Sequence, residues 1–366
     1  MSTSQPEPRV PDAGSESRLQ QIRMQAEQHG HVSGRGIRPA GAPFPMASPE
    51  TGYYGIHLLK EPQWTPDVPL YFFVGGAAGA SAVIGAVADW IGRDAELAHT
   101  ARWIAFGGAM ASAALLVHDL GRPSRFLNML RVFKVQSPMS MGAWTLAAFG
   151  GAATATVFAK AAERRFGSSL PVSIIGNFSQ FFSALFGLPL HNYTGVLIGA
   201  TAIPVWNKNI KTLPIHFGAS GVQSGVSALE LMGFSGSRAL NVLGLASALW
   251  ETWEGFHLEA RREEELKPLK RGLSGSLTRA GGVFSGPVPL LLRLLAAFSG
   301  DKQSQTLRRA AATCGIAGSL LTRYGWIRAG HSSARDWRLP LGVSPESSAQ
   351  EQPKLRDEVT QIEVAS

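Results

Sequence analysis

The chain has 366 residues, 45% hydrophobic and only 16% charged, with a formal charge of +8 and a mean hydropathy of +0.04. Its one cysteine, Cys314, excludes an internal disulfide, a CxxC redox pair and an iron–sulfur cluster held by this chain alone. In so apolar a chain the basic balance reflects loop lysines and arginines rather than a nucleic-acid partner.

Residues 1–50 are polar and rich in Pro, Ser and Gln, with too little apolar surface to offset the entropy of ordering, so they read as a disordered tail. The first 40 residues hold no apolar h-region, and the first span is expected to serve as its own insertion signal. That span is "VPLYFFVGGAAGASAVIGAVA", residues 68–88, free of Asp, Glu, Lys and Arg; about 20 such residues cross a hydrocarbon core. Further spans are expected near 102–118, 139–159, 188–206, 213–232, 238–257, 281–298 and 308–327. The fold class is therefore an all-α integral membrane protein of about eight transmembrane helices, with the membrane domain at 51–336 and a second disordered tail at 337–366. Residues 171–207 carry no charge and are interrupted by Pro189. Their first part, "SIIGNFSQFFSALFG", reads as an interfacial or re-entrant helix leading into a span that starts near Pro189. Gly75 with Gly79 and Gly221 with Gly225 have the small-xxx-small spacing of close helix packing.

Alternating spans sort the polar residues by side. On the side that holds both termini, side A, fall His57, His118, Asp119, His216, Glu251, Glu254 and His257; the opposite side B receives Asp89, His191, Tyr193 and Glu230. An ionisable group in a membrane is disfavoured by about 2.5–3.5 kcal/mol on insertion scales, so a cluster at one depth points to proton-coupled chemistry. Loop Lys and Arg number twelve on side A and nine on side B, which leans towards a cytoplasmic side A.

In "HDLGRPSRF", residues 118–126, an acid stands at the exit of the second span with two arginines a turn on. Asp119 is suited to exchanging a proton there; a helix stop with a surface ion pair is the plainer reading. Gly121 and Pro123 end the helix, and the amphipathic loop that follows offers Arg125, Arg131 and Lys134 to a partner. Glu251, Glu254 and His257 recur at three-residue spacing on one helix face, as a proton relay or as exposed caps. His118, His216 and His257 share side A, which permits haem b ligation, yet lone interfacial histidines are common and no bound metal is expected.

The text "YYGIHLLKEPQW", "PLYFFVGGAAGASAV", "HDLGRPSRFLNMLRVFKVQSPMSMGAW", "YTGVLIGATAIPVW" and "WIRAGHSSARD" resembles the NrfD-like, polysulphide-reductase membrane subunits over about residues 52–336. That resemblance implies two four-helix bundles without redox cofactors of their own, in a bacterial cytoplasmic membrane. It implies a subunit that is not catalytic alone but exchanges electrons between quinone, menaquinone or ubiquinone, and a docked ferredoxin-like iron–sulfur subunit, itself joined to a molybdopterin-type catalytic subunit. Asp119 would be the quinone-site carboxylate with Arg122 beside it, His57 would bond the far side of the headgroup, and His118 and Tyr193 would lie near. Glu230, Glu251, Glu254 and His257 would carry protons. The family often ends "ARDP", whereas here Trp337 follows Asp336. It also places the quinone site on the outer face, against the charge lean. A transporter with a midplane site and a purely structural anchor are the rival readings.

Overall fold

The computed structural model describes Gln21, Met24 and residues 59–122, 124, 126–336 and 338–341. His57, Arg125, Pro123 and nearly all of both expected tails lie outside the described residues. Contacts divide the chain into Met1–Ile56 and His57–Ser366, and all the helices below belong to the second unit.

Among the described residues eight long helices follow one another. They are α1 (Asp67–Val87, continued by a π turn at Ala88–Gly92), α2 (Ala95–Asp119), α3 (Pro138–Phe166) and α4 (Leu170–Gly199). Then come α5 (Leu213–Leu229, continued by a π turn at Glu230–Phe234), α6 (Arg238–Ala260), α7 (Gly272–Ala297) and α8 (Asp301–Arg335). No strand occurs among the described residues. Among the described residues five helices, α1 to α4 and α7, are long and apolar enough to cross a membrane. The other three have comparable length but bury polar side chains, which lowers their hydropathy without moving them out of the bundle.

Local signals set the boundaries. The Asp94 carboxylate accepts from the Leu97 amide to cap α2, and Ser137 and Ser237 cap α3 and α6 in the same way. Gly121 ends α2 with φ +66, a left-handed turn that glycine adopts without a Cβ penalty. α7 is interrupted at Gly286, where Pro287 supplies no amide and the α6 backbone at Thr252 passes close by.

The charge-free stretch corrects the sequence reading. Instead of a re-entrant piece and a span from Pro189, residues 170–199 form one helix of 30 residues with Pro189 inside it, about 45 Å long at 1.5 Å per residue. The reason lies in its two faces. Ile174, Phe178, Phe181 and Leu185 are exposed at helical spacing, while Gly176, Ser179, Gln180 and Ser183 face inward. The amphipathic pattern marks a lipid-facing flank over a small, polar packing face, and packed neighbours tolerate the internal proline. Consequently α4 runs from side B to side A, so His191 and Tyr193 belong to its second half, nearer side A than the sequence reading placed them. Residues Pro204–Asn207 form a separate turn.

α1 to α4 close a ring in which each helix touches the next and α4 returns to α1; α5 to α8 do the same. The two rings meet through α1 against α5, flanked by α4 on α5 and α8 on α1. The glycine spacing explains how closely they meet. A methyl placed on Gly221 would stand 3.3 Å from the Gly76 carbonyl oxygen of α1, and one on Gly225 would stand 3.2 Å from the Ala77 carbonyl oxygen of the same helix. In lipid, where apolar burial gives little drive between helices, such approach gains dispersion contacts.

Side A is clasped by three of the motifs quoted above. Trp64 stacks on Trp206 at 5.2 Å, and the Trp206 indole donates to the Trp326 carbonyl at 2.8 Å. Arg335 donates to both Glu61 oxygens, at 3.0 and 2.8 Å, with His331 Nδ1 at 2.9 Å from the same carboxylate.

Candidate functional site

In the first ring an apolar cleft of about 480 Å³ lies between α2 and α3. Met110, Ala113 and Leu116 of α2 form one wall, Met139 and Leu146 of α3 the other, and Phe126 of the connecting loop stands at the mouth. Its polar side chains are two phenols, Tyr71 of α1 and Tyr193 of α4, 4% and 9% exposed, and Thr154 of α3, whose hydroxyl donates to the Gly150 carbonyl. The Tyr193 hydroxyl has no hydrogen-bond partner. Gly142 makes room for this ring: a Cβ there would collide with Tyr193. An apolar slot ending on an unbonded hydroxyl suits a flat lipophilic molecule with a hydrogen-bonding head.

Asp119 sits one turn beyond Leu116, at the last residue of α2, above the cleft rather than in its wall. Its Oδ1 accepts from the Thr65 amide at 3.0 Å and from the Thr65 hydroxyl at 2.6 Å. Asp67, at the start of α1, lies 2.7 Å from His118 Nδ1. Thus Thr65, Asp67, His118 and Asp119 form one hydrogen-bonded group over the α1/α2 junction, with the His118 ring 81% exposed. Arg122 is exposed and forms no ion pair with Asp119, whose partner is Thr65. Arg131 and Lys134 are exposed on the side A loop beside the apolar Val132, Phe133 and Val135.

The second ring carries charge in its interior. His216 of α5 and Glu251 of α6 are buried, with His216 Nδ1 3.8 Å from Glu251 Oε2, and Ser285 of α7 donates to that oxygen at 2.9 Å. Glu254 is buried one turn along α6. Arg323 of α8 is fully enclosed and donates to the Ser220 hydroxyl at 2.6 Å and the Ser319 carbonyl at 3.0 Å, over the Phe217 ring. Its hydrogen-bond partners are neutral. Towards side B, Arg293 of α7 grips Glu230 with two parallel hydrogen bonds of 2.7 and 2.6 Å, both side chains 0% exposed.

The structure thus brings His216, Glu251 and Glu254 together as the spacing suggested and sets Glu230 apart at the other end. His257 does not join them: it stands on the outer face, stacked on Trp253 at 5.3 Å. Sequence reasoning missed Tyr71, Thr65 and Arg323. Arg323 had a readable signal, a lone arginine within a helical segment; Tyr71 and Thr65 had none, since their roles depend on helices distant in sequence.

The packed helices, five of them long and apolar enough to cross a membrane among the described residues, define a polytopic membrane protein. The family model described as polysulphide reductase, NrfD, matches residues 61–239. That segment belongs to the NrfD family, membrane subunits of respiratory oxidoreductases that usually partner with iron–sulfur subunits. It contains all of α1 to α5 and stops at the second residue of α6. No curated protein matches the chain.

Proposed function

We propose that this chain is the quinone-reactive membrane subunit of a respiratory oxidoreductase complex, passing electrons between the quinone pool and an iron–sulfur subunit docked on side A. The observation that carries the reading is the α2/α3 cleft, with two phenols inside and a hydrogen-bonded carboxylate above it. A quinol entering from the lipid flank would lay its ring between Met110 and Leu146 and bond its head to Tyr193. Its oxidation releases two electrons to the partner and two protons, for which Asp119 is the first acceptor, with His118 and Asp67 leading to water. The side A loop, with Arg131 and Lys134 around exposed Phe133, is the docking surface. His216, Glu251 and Glu254 serve as a second proton-bearing group. Of the two features that favour a transporter, glycine-rich helices and a broken fourth segment, the second is absent, because α4 is unbroken.

Quinol oxidation by the assembled complex tests this. Asp119→Asn, which keeps the Thr65 contacts in shape but cannot take a proton, is expected to lower turnover at least tenfold without loss of assembly. Full turnover in that variant overturns the role of Asp119.

A further inference from the structure

The second ring repeats the first closely enough to compare the spaces between matching helices. Where α2 and α3 enclose the cleft just described, α6 and α7 enclose another, of about 310 Å³. Thr252, Gly255 and Phe256 of α6 and Gly282 and Val283 of α7 line it. Phe256 is 71% and Val283 48% exposed, so the opening faces the lipid side of the ring. An ion pair between Arg279 and Glu259, 2.7 Å, spans the two helices at the side A rim. Eight residues below Glu259, about 12 Å along α6, the cleft reaches Glu251. That carboxyl is 1% exposed, and while Ser285 holds one oxygen, Oε1 has no partner. An unbonded carboxyl oxygen at the base of an apolar slot is disfavoured unless a hydrogen-bonding group reaches it.

We infer that the α6/α7 cleft is a second binding site for a lipophilic hydroquinone or quinone, whose head bonds to Glu251 and whose tail leaves past Phe256 into lipid. The ionised carboxyl accepts from a hydroquinone hydroxyl; the protonated one donates to a quinone carbonyl. A phospholipid acyl chain fills the same walls but leaves Oε1 unbonded, which favours a headed aromatic occupant. The ligand class rests on the proposed function; the cleft and its unbonded carboxyl do not.

Two glycines make the test clean, because each lines a different cleft and a Cβ on it meets nothing within 4 Å: Gly151 in α3 and Gly282 in α7. The full chain in phosphatidylcholine nanodiscs is irradiated with a photoreactive short-chain benzoquinone, with and without excess unlabelled quinone, and the labelled peptides are mapped by mass spectrometry. Displaceable labelling is expected in both clefts. Gly282→Leu should cut the α6/α7 label at least tenfold and spare the α2/α3 label, Gly151→Leu should do the reverse, and Glu251→Leu, which can neither donate nor accept, should weaken the α6/α7 label severalfold. Label confined to α2/α3 overturns the inference and leaves the proposed function standing. So does α6/α7 label that excess quinone does not displace, or a phospholipid found there instead. Displaceable label confined to α6/α7 supports the inference and overturns the α2/α3 reading; label in neither cleft overturns both.

Discussion

Both rings place a charged triangle near side B, but they treat the rest of their interiors differently. In the first, Arg102 of α2 pairs with Asp89 of the α1 π turn at 2.6 Å and donates to Gln180 of α4 at 2.8 Å, with Asp89 24% exposed. In the second, Arg293 and Glu230 are both sealed, with Asn241 3.4 Å away. Beyond its triangle the first ring is built of small and aromatic residues around an apolar slot, with His191 inside α4 and its other charged groups near helix ends. The second carries His216, Glu251, Glu254 and Arg323 through its interior. One arrangement of helices therefore serves two solvation problems: holding an apolar guest, and keeping charge stable out of water.

The contrast is broken most forcefully at the two triangles. Removing one partner from a sealed pair leaves an uncompensated charge, about 3–5 kcal/mol, whereas a partly hydrated pair loses less. Arg293→Met is expected to destabilise by that amount in detergent thermal unfolding, and Asp89→Asn by about 1–2 kcal/mol. The double variant Arg293→Met with Glu230→Leu should recover most of the loss, since the charge leaves with its partner. Equal losses in the two rings would mean that the triangles are equally wet and that the contrast is false.

The next test concerns the space rather than the charge. Gly151→Leu starts its side chain in open space at the α2/α3 cleft, where a Cβ meets nothing within 4 Å, so stability should stay within about 0.5 kcal/mol, while quinol oxidation by the complex falls at least tenfold, about 1.4 kcal/mol. A variant that turns over normally would show that the slot is not the ligand's seat.

The sequence made the first ring more readable than the second, for a physical reason. Helices α1 to α4 present enough apolar surface to be recognised by length and hydropathy, and of the later four only α7 does. Glu251, Glu254 and His216 were legible as a cluster because spacing on one helix and parity across the membrane both survive folding. A boundary at Pro189 puts Tyr193 on side B, whereas α4 runs through that proline and carries Tyr193 in its second half. Arg122 was expected beside Asp119 from proximity in the chain. Thr65, 54 residues away, reached the carboxylate first, and no local pattern announces such a contact. Several residues of the quoted motifs, Trp64, Trp206, Glu61 and Arg335 among them, hold side A together.

That clasp gives the smallest predicted effect, and it separates structural from chemical roles for the motifs. The Arg335 guanidinium, burial acting against it, and the nearby His331 together hold the Glu61 carboxyl below its ordinary value. Because the folded value is the depressed one, the contribution is fully present above the ordinary carboxylate range and is lost as pH falls through the folded value. The pair is partly exposed, with Arg335 at 62% and Glu61 at 32%, so solvent screening keeps its worth under about 1 kcal/mol. Glu61→Gln should therefore lower unfolding stability slightly at neutral pH, and the gap to wild type should close as the pH drops below the carboxylate range. Quinol turnover should be unchanged, since the clasp touches neither cleft; a large loss of turnover with stability intact would move this motif from scaffold to site.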